Sequence, residues 1–170
     1  ESSMIIKKSI LTNCTAVSGG AIHVDNSRFA VMGSSSISGK AVGKGGCISA
    51  ANSSIVSINE RAVLSGCKAD NGGGVSLMGS ILLMRDSSAI TSSRATVLGG
   101  AVYADSGSSI SMSGFASLNN NGAGQMGGGV YLSACEGSCQ NRGYIGMSGS
   151  SVIVNNEVLG LGGGIFGDEG

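Results

Sequence analysis

Proline and tryptophan are absent from this 170-residue chain, aromatic residues make up 4% of it and charged residues 12%. The lack of proline excludes polyproline spacers and collagen-like helices. Sparse charge combined with 41% hydrophobic residues excludes a disordered linker, which needs the opposite balance. Neither sign of charge prevails: 10 basic residues face 10 acidic ones, so there is no overall electrostatic footprint for nucleic acid or an anionic membrane surface. No run of about 18 apolar residues is present, and direct membrane insertion by this segment is not expected. Glu1-Ser2-Ser3-Met4 lacks the charged and apolar regions of a signal peptide, and the repeat described below runs to both ends. The expectation is one segment, 1–170, of a larger protein.

Glycine is what the chain has in quantity, 31 of 170 residues. In helix interiors glycine costs about 0.5–1 kcal/mol against alanine, so this density points to turns and strands. The glycines are phased. A Gly-Gly-small-Ile/Val signature begins at Gly19, Gly45, Gly72, Gly99, Gly127 and Gly162, and four of the five intervals are 26–28 residues. Two more marks keep the beat. Upstream lie Leu11/Cys14/Ala16, Ile37/Lys40/Val42, Leu64/Cys67/Ala69, Ile90/Ser93/Ala95, Leu118/Asn121/Ala123 and Ile153/Asn156/Val158. Downstream lie the alternating pairs Phe29/Val31, Val56/Ile58, Leu82/Met84, Ile110/Met112 and Ile145/Met147.

Apolar residues inside each repeat alternate with period two, the pattern of a strand with one face buried. A single coil of about 27 residues has no partner for that face. Stacking supplies one, because equivalent strands of successive coils pair in parallel about 4.8 Å apart and their inward residues form ladders. The predicted fold is therefore all-β: a right-handed parallel β-helix, or β-solenoid, of about six coils, the hand following from the near-universal right-handedness of parallel crossovers. The fifth interval of 35 residues predicts an inserted loop near 134–141. Cys135 and Cys139 lie in it, open to a small disulfide or to two free thiols. Cys14, Cys47 and Cys67 are expected to be unpaired buried or corner thiols, since Cys14 and Cys67 share one repeat position two coils apart.

Gly19-Gly20-Ala21-Ile22 and Gly99-Gly100-Ala101-Val102 resemble the Gly-Gly-Ala-Ile/Leu/Val tetrapeptide of the chlamydial polymorphic membrane protein repeats, which are β-helical and pectin-lyase-like. Those repeats also carry Phe-x-x-Asn; Leu118 to Asn121 and Ile153 to Asn156 keep its asparagine without its phenylalanine. The resemblance implies the shaft of an extracellular or cell-surface adhesin, or a filament or appendage component. Its expected partners are neighbouring domains of the same longer chain, other surface proteins, glycans or further copies of itself.

Catalytic chemistry on such a fold needs acidic residues converging on one face, for calcium or for acid/base work. Asp25, Asp105 and Asp168 share a column, but never on adjacent coils, and His23 is the only histidine, with no nucleophile beside it in the repeat frame. No catalytic residue, metal ligand or cofactor site is assigned, and the chain is expected not to be an enzyme. The alternative is a fragment of a pectin-lyase-like carbohydrate-active enzyme. Binding is expected at the outward column His23, Ser49, Ser76, Tyr103, Tyr131 and Phe166, whose three aromatics on consecutive coils would either grip a sugar or partner protein or stack on one another. Asn13-Cys14-Thr15 and Asn52-Ser53-Ser54 are N-glycosylation sequons near predicted corners.

Overall fold

Gly-Gly pairs every 27 residues turn the chain at the same place in each coil, and the period-two segments between them form short strands. A computed structural model of the protein describes residues 2–105, 107–133 and 143–168. The first coil shows the plan: β1, Ser3–Lys7, β2, Ile10–Ser18, and β3, Ile22–Asp25. Each strand begins a separate sheet, and every pairing is parallel, to the equivalent strand one coil along. Two sheets have six strands each. The third has ten, because from the third coil onward its strand is broken into two at a corner. No described residue is helical. The result is a parallel β-solenoid of about five turns, Gly19 to Gly162, with six rungs in each of the two smaller sheets.

The interior is one continuous apolar cluster. Val31, Ile58, Met84 and Met112 form one buried ladder, Ile37, Leu64, Ile90 and Leu118 a second, and Ile48, Val75, Val102 and Val130 a third. These are the residues that the period-two reading turns inward. Fully burying such side chains stabilises the fold by about 1.5–3 kcal/mol each, and a coil gains that burial only when its neighbours are present.

The two signature glycines answer to different constraints. Gly19, Gly45, Gly72, Gly99, Gly127 and Gly162 all sit at φ between 62° and 70°, the left-handed region where a Cβ is costly. The second glycine answers to the next rung. A Cβ on Gly73 would run into the Gly100 carbonyl oxygen and the Arg94 backbone, and Gly20, Gly46 and Gly100 meet the corresponding backbone atoms of their own next rungs. Gly163, beyond which no further rung is described, meets only the Asn156 carbonyl oxygen at 3.3 Å.

Polar residues at the corners also pair from rung to rung. The buried hydroxyls of Ser54, Ser80 and Ser108 accept hydrogen bonds from the backbone N–H groups of Ser27, Ser54 and Ser80 at 3.3, 3.2 and 3.1 Å. At another corner Asn121 Oδ1 accepts from the Ser93 N–H at 3.0 Å and Asn156 Oδ1 from the Asn121 N–H at 2.9 Å. Their amide groups donate to the Ile90 and Leu118 carbonyls, both at 3.0 Å.

Two expectations are corrected. Cys47 and Cys67 are not free thiols: they form a disulfide, with Cα atoms 5.4 Å apart and both residues fully buried. Comparing cysteines only at one repeat position concealed this pair, which joins an inward signature position to an inward corner position on adjoining coils. The second coil is also out of step by one residue. Lys40 pairs with Thr15 and Lys68, Gly39 with Cys14, and Ala41 with Ala16, so Gly39 and Ala41 occupy the positions assigned to Lys40 and Val42. Val42 is 64% exposed, whereas Ala41 is buried. The corner there is one residue shorter and the stretch to the next glycine pair one residue longer, so the total spacing hides the shift. Cys135 and Cys139 lie outside the described residues.

Candidate functional site

Strands following the signature glycines alternate strictly, so the residue after each inward Ile or Val faces outward. The pairing places His23, Ser49, Ser76, Tyr103, Tyr131 and Phe166 in one unbroken register. The aromatic members stack. Tyr103 and Tyr131 have ring centroids 5.5 Å apart at 2° between planes, and Tyr131 and Phe166 5.6 Å apart at 13°. His23 is three rungs from Tyr103, about 14 Å at the rung spacing, and is not part of the stack. It lines a separate cleft of about 350 Å³ with Met4, Asp25 and Phe29.

The column faces outward without being open. Tyr131 is only 6% exposed and Ser76 is fully buried. Tyr131 is covered by the rings on its two faces, and Lys44 reaches along the solenoid to the Tyr103 end of the column. Its Nζ lies 3.4 Å from Met78 Sδ, 3.6 Å from Asp105 Oδ2 and 5.4 Å from the Tyr103 ring centroid. Among the described residues, Ser76 Oγ, Asn71 Oδ1 and Asp105 Oδ1 are buried without a hydrogen-bond partner.

Sugar recognition by an aromatic residue uses the ring face. Both faces of Tyr131 are taken by its neighbours, and Tyr103 has Tyr131 on one side and the Lys44 ammonium on the other. The hydroxyl of Tyr131 donates to Asp168 Oδ2 at 3.0 Å. Burial, followed by the charge of Asp105, pushes the Tyr103 phenol well above its ordinary range. Tyr131 is raised as well, first by burial and then by its bond to Asp168. Tyr103, Tyr131 and Phe166 thus stack from rung to rung, with Phe166 engaged by Tyr131 on one face.

The remaining sequence-derived positions fall apart in space. Asn13 and Asn52 are exposed at corners, both with positive φ, and Asn52 Nδ2 donates to Asp25 Oδ1 at 2.5 Å. Asp25, Asp105 and Asp168 occupy one column separated by other residues, as the register requires. Among the described residues no three His, Cys, Asp or Glu side chains gather to hold a metal ion. The disulfide, Lys44 and the serine ladder escaped the sequence reading. The serines had a signal, a Ser two residues before Val56, Leu82 and Ile110, lost in a serine-rich chain. The chain matches no protein-family model, no curated protein and no solved structure.

Proposed function

We propose that this chain is a non-enzymatic, load-carrying segment of a large extracellular or cell-surface protein, a stiff spacer whose outer faces serve adhesion or self-association. The observation that carries the reading is the use to which polar and reactive side chains are put. Serine hydroxyls, asparagine amides, tyrosine rings and two cysteines are spent on joining one rung to the next. The buried Cys47–Cys67 disulfide favours an oxidising compartment, where such bonds form and persist. The likeness of its Gly-Gly-Ala-Ile and Gly-Gly-Ala-Val tetrapeptides to the chlamydial surface repeats favours the same location.

A spacer predicts mechanical behaviour that a catalyst does not. Pulled from its ends with the Cys47–Cys67 bond reduced, the chain should unravel coil by coil, each 27-residue coil releasing about 90 Å of contour at about 3.4 Å per residue; with the bond intact, the 20 residues it encloses should be withheld. Incubation with polygalacturonate and other acidic polysaccharides should release no new reducing ends or unsaturated products. Cleavage of any of these by the purified chain, lost on mutation of its carboxylates, overturns the reading in favour of a carbohydrate-active enzyme.

A further inference from the structure

The shifted register of the second coil exposes a feature that the repeat frame hides. Thr15, Lys40, Lys68, Arg94, Gly122 and Glu157 form one outward column, each paired directly with the next. Three cations therefore stand on three adjacent rungs, where like charges opposite one another oppose pairing. The far end of the column neutralises itself. Arg94 reaches over Gly122 to place Nη2 2.7 Å from Glu157 Oε1, and its Nη1 donates to the Asn120 carbonyl at 2.9 Å. Lys40 and Lys68 are exposed and have no ion pair among the described residues. The carboxylate nearest in sequence, Asp70, accepts instead from Thr96 Oγ1 at 2.6 Å.

Between those two lysines lies a cleft of about 310 Å³, at the small end of the range for small-molecule sites. Its polar side chains are Asn13, Thr15, Ser38, Lys40 and Lys68, every one able to donate a hydrogen bond, and no carboxylate lines it. Gly39 and Gly66 form part of its wall, and a Cβ added to Gly66 would meet nothing within 4 Å, which leaves room for a ligand. The charge of the whole chain is also polarised. Residues 1–85 carry eight basic and four acidic side chains, residues 86–170 two and six. Zero net charge conceals a positive half in which this cleft sits.

We propose that the cleft between Lys40 and Lys68 is an oxyanion site that takes a sulfate or phosphate monoester carried on a sugar. Two ammonium groups match the charge of a phosphate monoester, a dianion near neutral pH, and exceed by one that of a monoanionic sulfate ester, and the Thr15 and Ser38 hydroxyls and the Asn13 amide supply neutral donors to the ester oxygens. The site is independent of the spacer reading, since a rod without ligands and a rod with one would share the same ladders.

The test titrates the full 170-residue chain by calorimetry with a sulfated disaccharide, with a sugar phosphate and with the uncharged parent sugar of each. Binding of an ester but not of its parent sugar is expected, weakening as salt is raised from low to physiological concentration. Preference between the two esters assigns the source of the oxyanion. The combined change Lys40→Gln and Lys68→Gln should lower affinity at least tenfold, whereas Arg61→Gln, at an exposed cation on another corner, should leave it unchanged. Circular dichroism of each variant checks that the solenoid is retained. Failure of both esters to bind, or equal affinity in the double variant and the parent chain, overturns the proposal.

Discussion

Reducing the Cys47–Cys67 bond removes a brace from the centre of the rod without adding or deleting a side chain. The bond closes a loop of 20 residues, Cys47 lying in the turn between one glycine pair and the strand Ile48–Ala51, and Cys67 at the corner before the next pair. Cross-linking a loop of that length restricts the unfolded chain by about 3 kcal/mol. Both sulfurs are buried, Cys47 Sγ 3.4 Å and Cys67 Sγ 3.9 Å from the Ile37 carbonyl oxygen, so the folded chain keeps the pair in place whether or not it is bonded. The expected cost of reduction is thus roughly 3 kcal/mol, a fall in melting temperature of about 6–12 °C for a chain of this size. Trypsin cleaves after Lys44, Arg61 and Lys68, so non-reducing digestion should yield peptide 45–61 linked to peptide 62–68. Scanning calorimetry with and without reductant, on the parent chain and on a Cys47→Ala, Cys67→Ala variant, gives the energetic half of the test. The variant should lose the part of the reductant sensitivity that belongs to this bond. Absence of the linked peptides, or an undiminished response to reductant in the variant, refutes the reasoning.

Two further outcomes follow from the packing and the phenols. Gly73→Ala should destabilise by about 3 kcal/mol or more, because the new Cβ meets backbone that cannot rotate away, whereas Gly163→Ala, with one contact at 3.3 Å, should cost under about 1 kcal/mol; chemical denaturation of the pair measures the difference. Tyr103 and Tyr131 have phenols raised above the unfolded value of 10, so the folded chain holds their protons after the unfolded chain has released them. Their stabilising contribution is intact below about pH 10 and is lost as pH rises beyond it, so ultraviolet titration of the tyrosines should lag and thermal stability should fall on the alkaline side.

Where sequence reading succeeded, one physical demand selected one residue type. The left-handed φ of Gly19 and its equivalents, and the backbone contact at Gly20 and its equivalents, leave glycine as the economical choice, so the signature is visible in each coil. Inward ladders such as Val31, Ile58, Met84 and Met112 were equally legible, because burial on alternate positions writes a period of two. The aromatic column was legible for the same reason. The reach of Lys44 was not: it meets Asp105 and Tyr103 from an earlier coil along the axis, and no pattern within a coil records where a flexible side chain lies. The shift at Gly39 and Lys40 was hidden because a shorter corner and a longer approach cancel in the count. That single residue decides whether Lys40 lines a core or stands beside Lys68 on the surface.

Comparing one interior column along the rod shows how the architecture frees its surface. Cys14, Gly39, Cys67, Ser93, Asn121 and Asn156 occupy the same corner in successive coils. Such a corner has backbone N–H groups that the sheet ladder leaves over, and a buried N–H without an acceptor costs about 1–3 kcal/mol. In the later coils asparagine amides accept from an N–H of the preceding coil and donate to a carbonyl of that same preceding coil, so each bond supports the next. In the earlier coils the column changes to glycine and cysteine, and Cys67 ties the corner covalently to Cys47. The two solutions hold successive rungs with different chemistry at the same interior corner. Outward columns are then at liberty to diverge. Toward the C-terminal end they carry a stack of rings capped by Asp168, and in the N-terminal half they leave two lysines unpaired beside a cleft of donors. A solenoid that needed those lysines for its own stability would have paired them, as it paired Arg94.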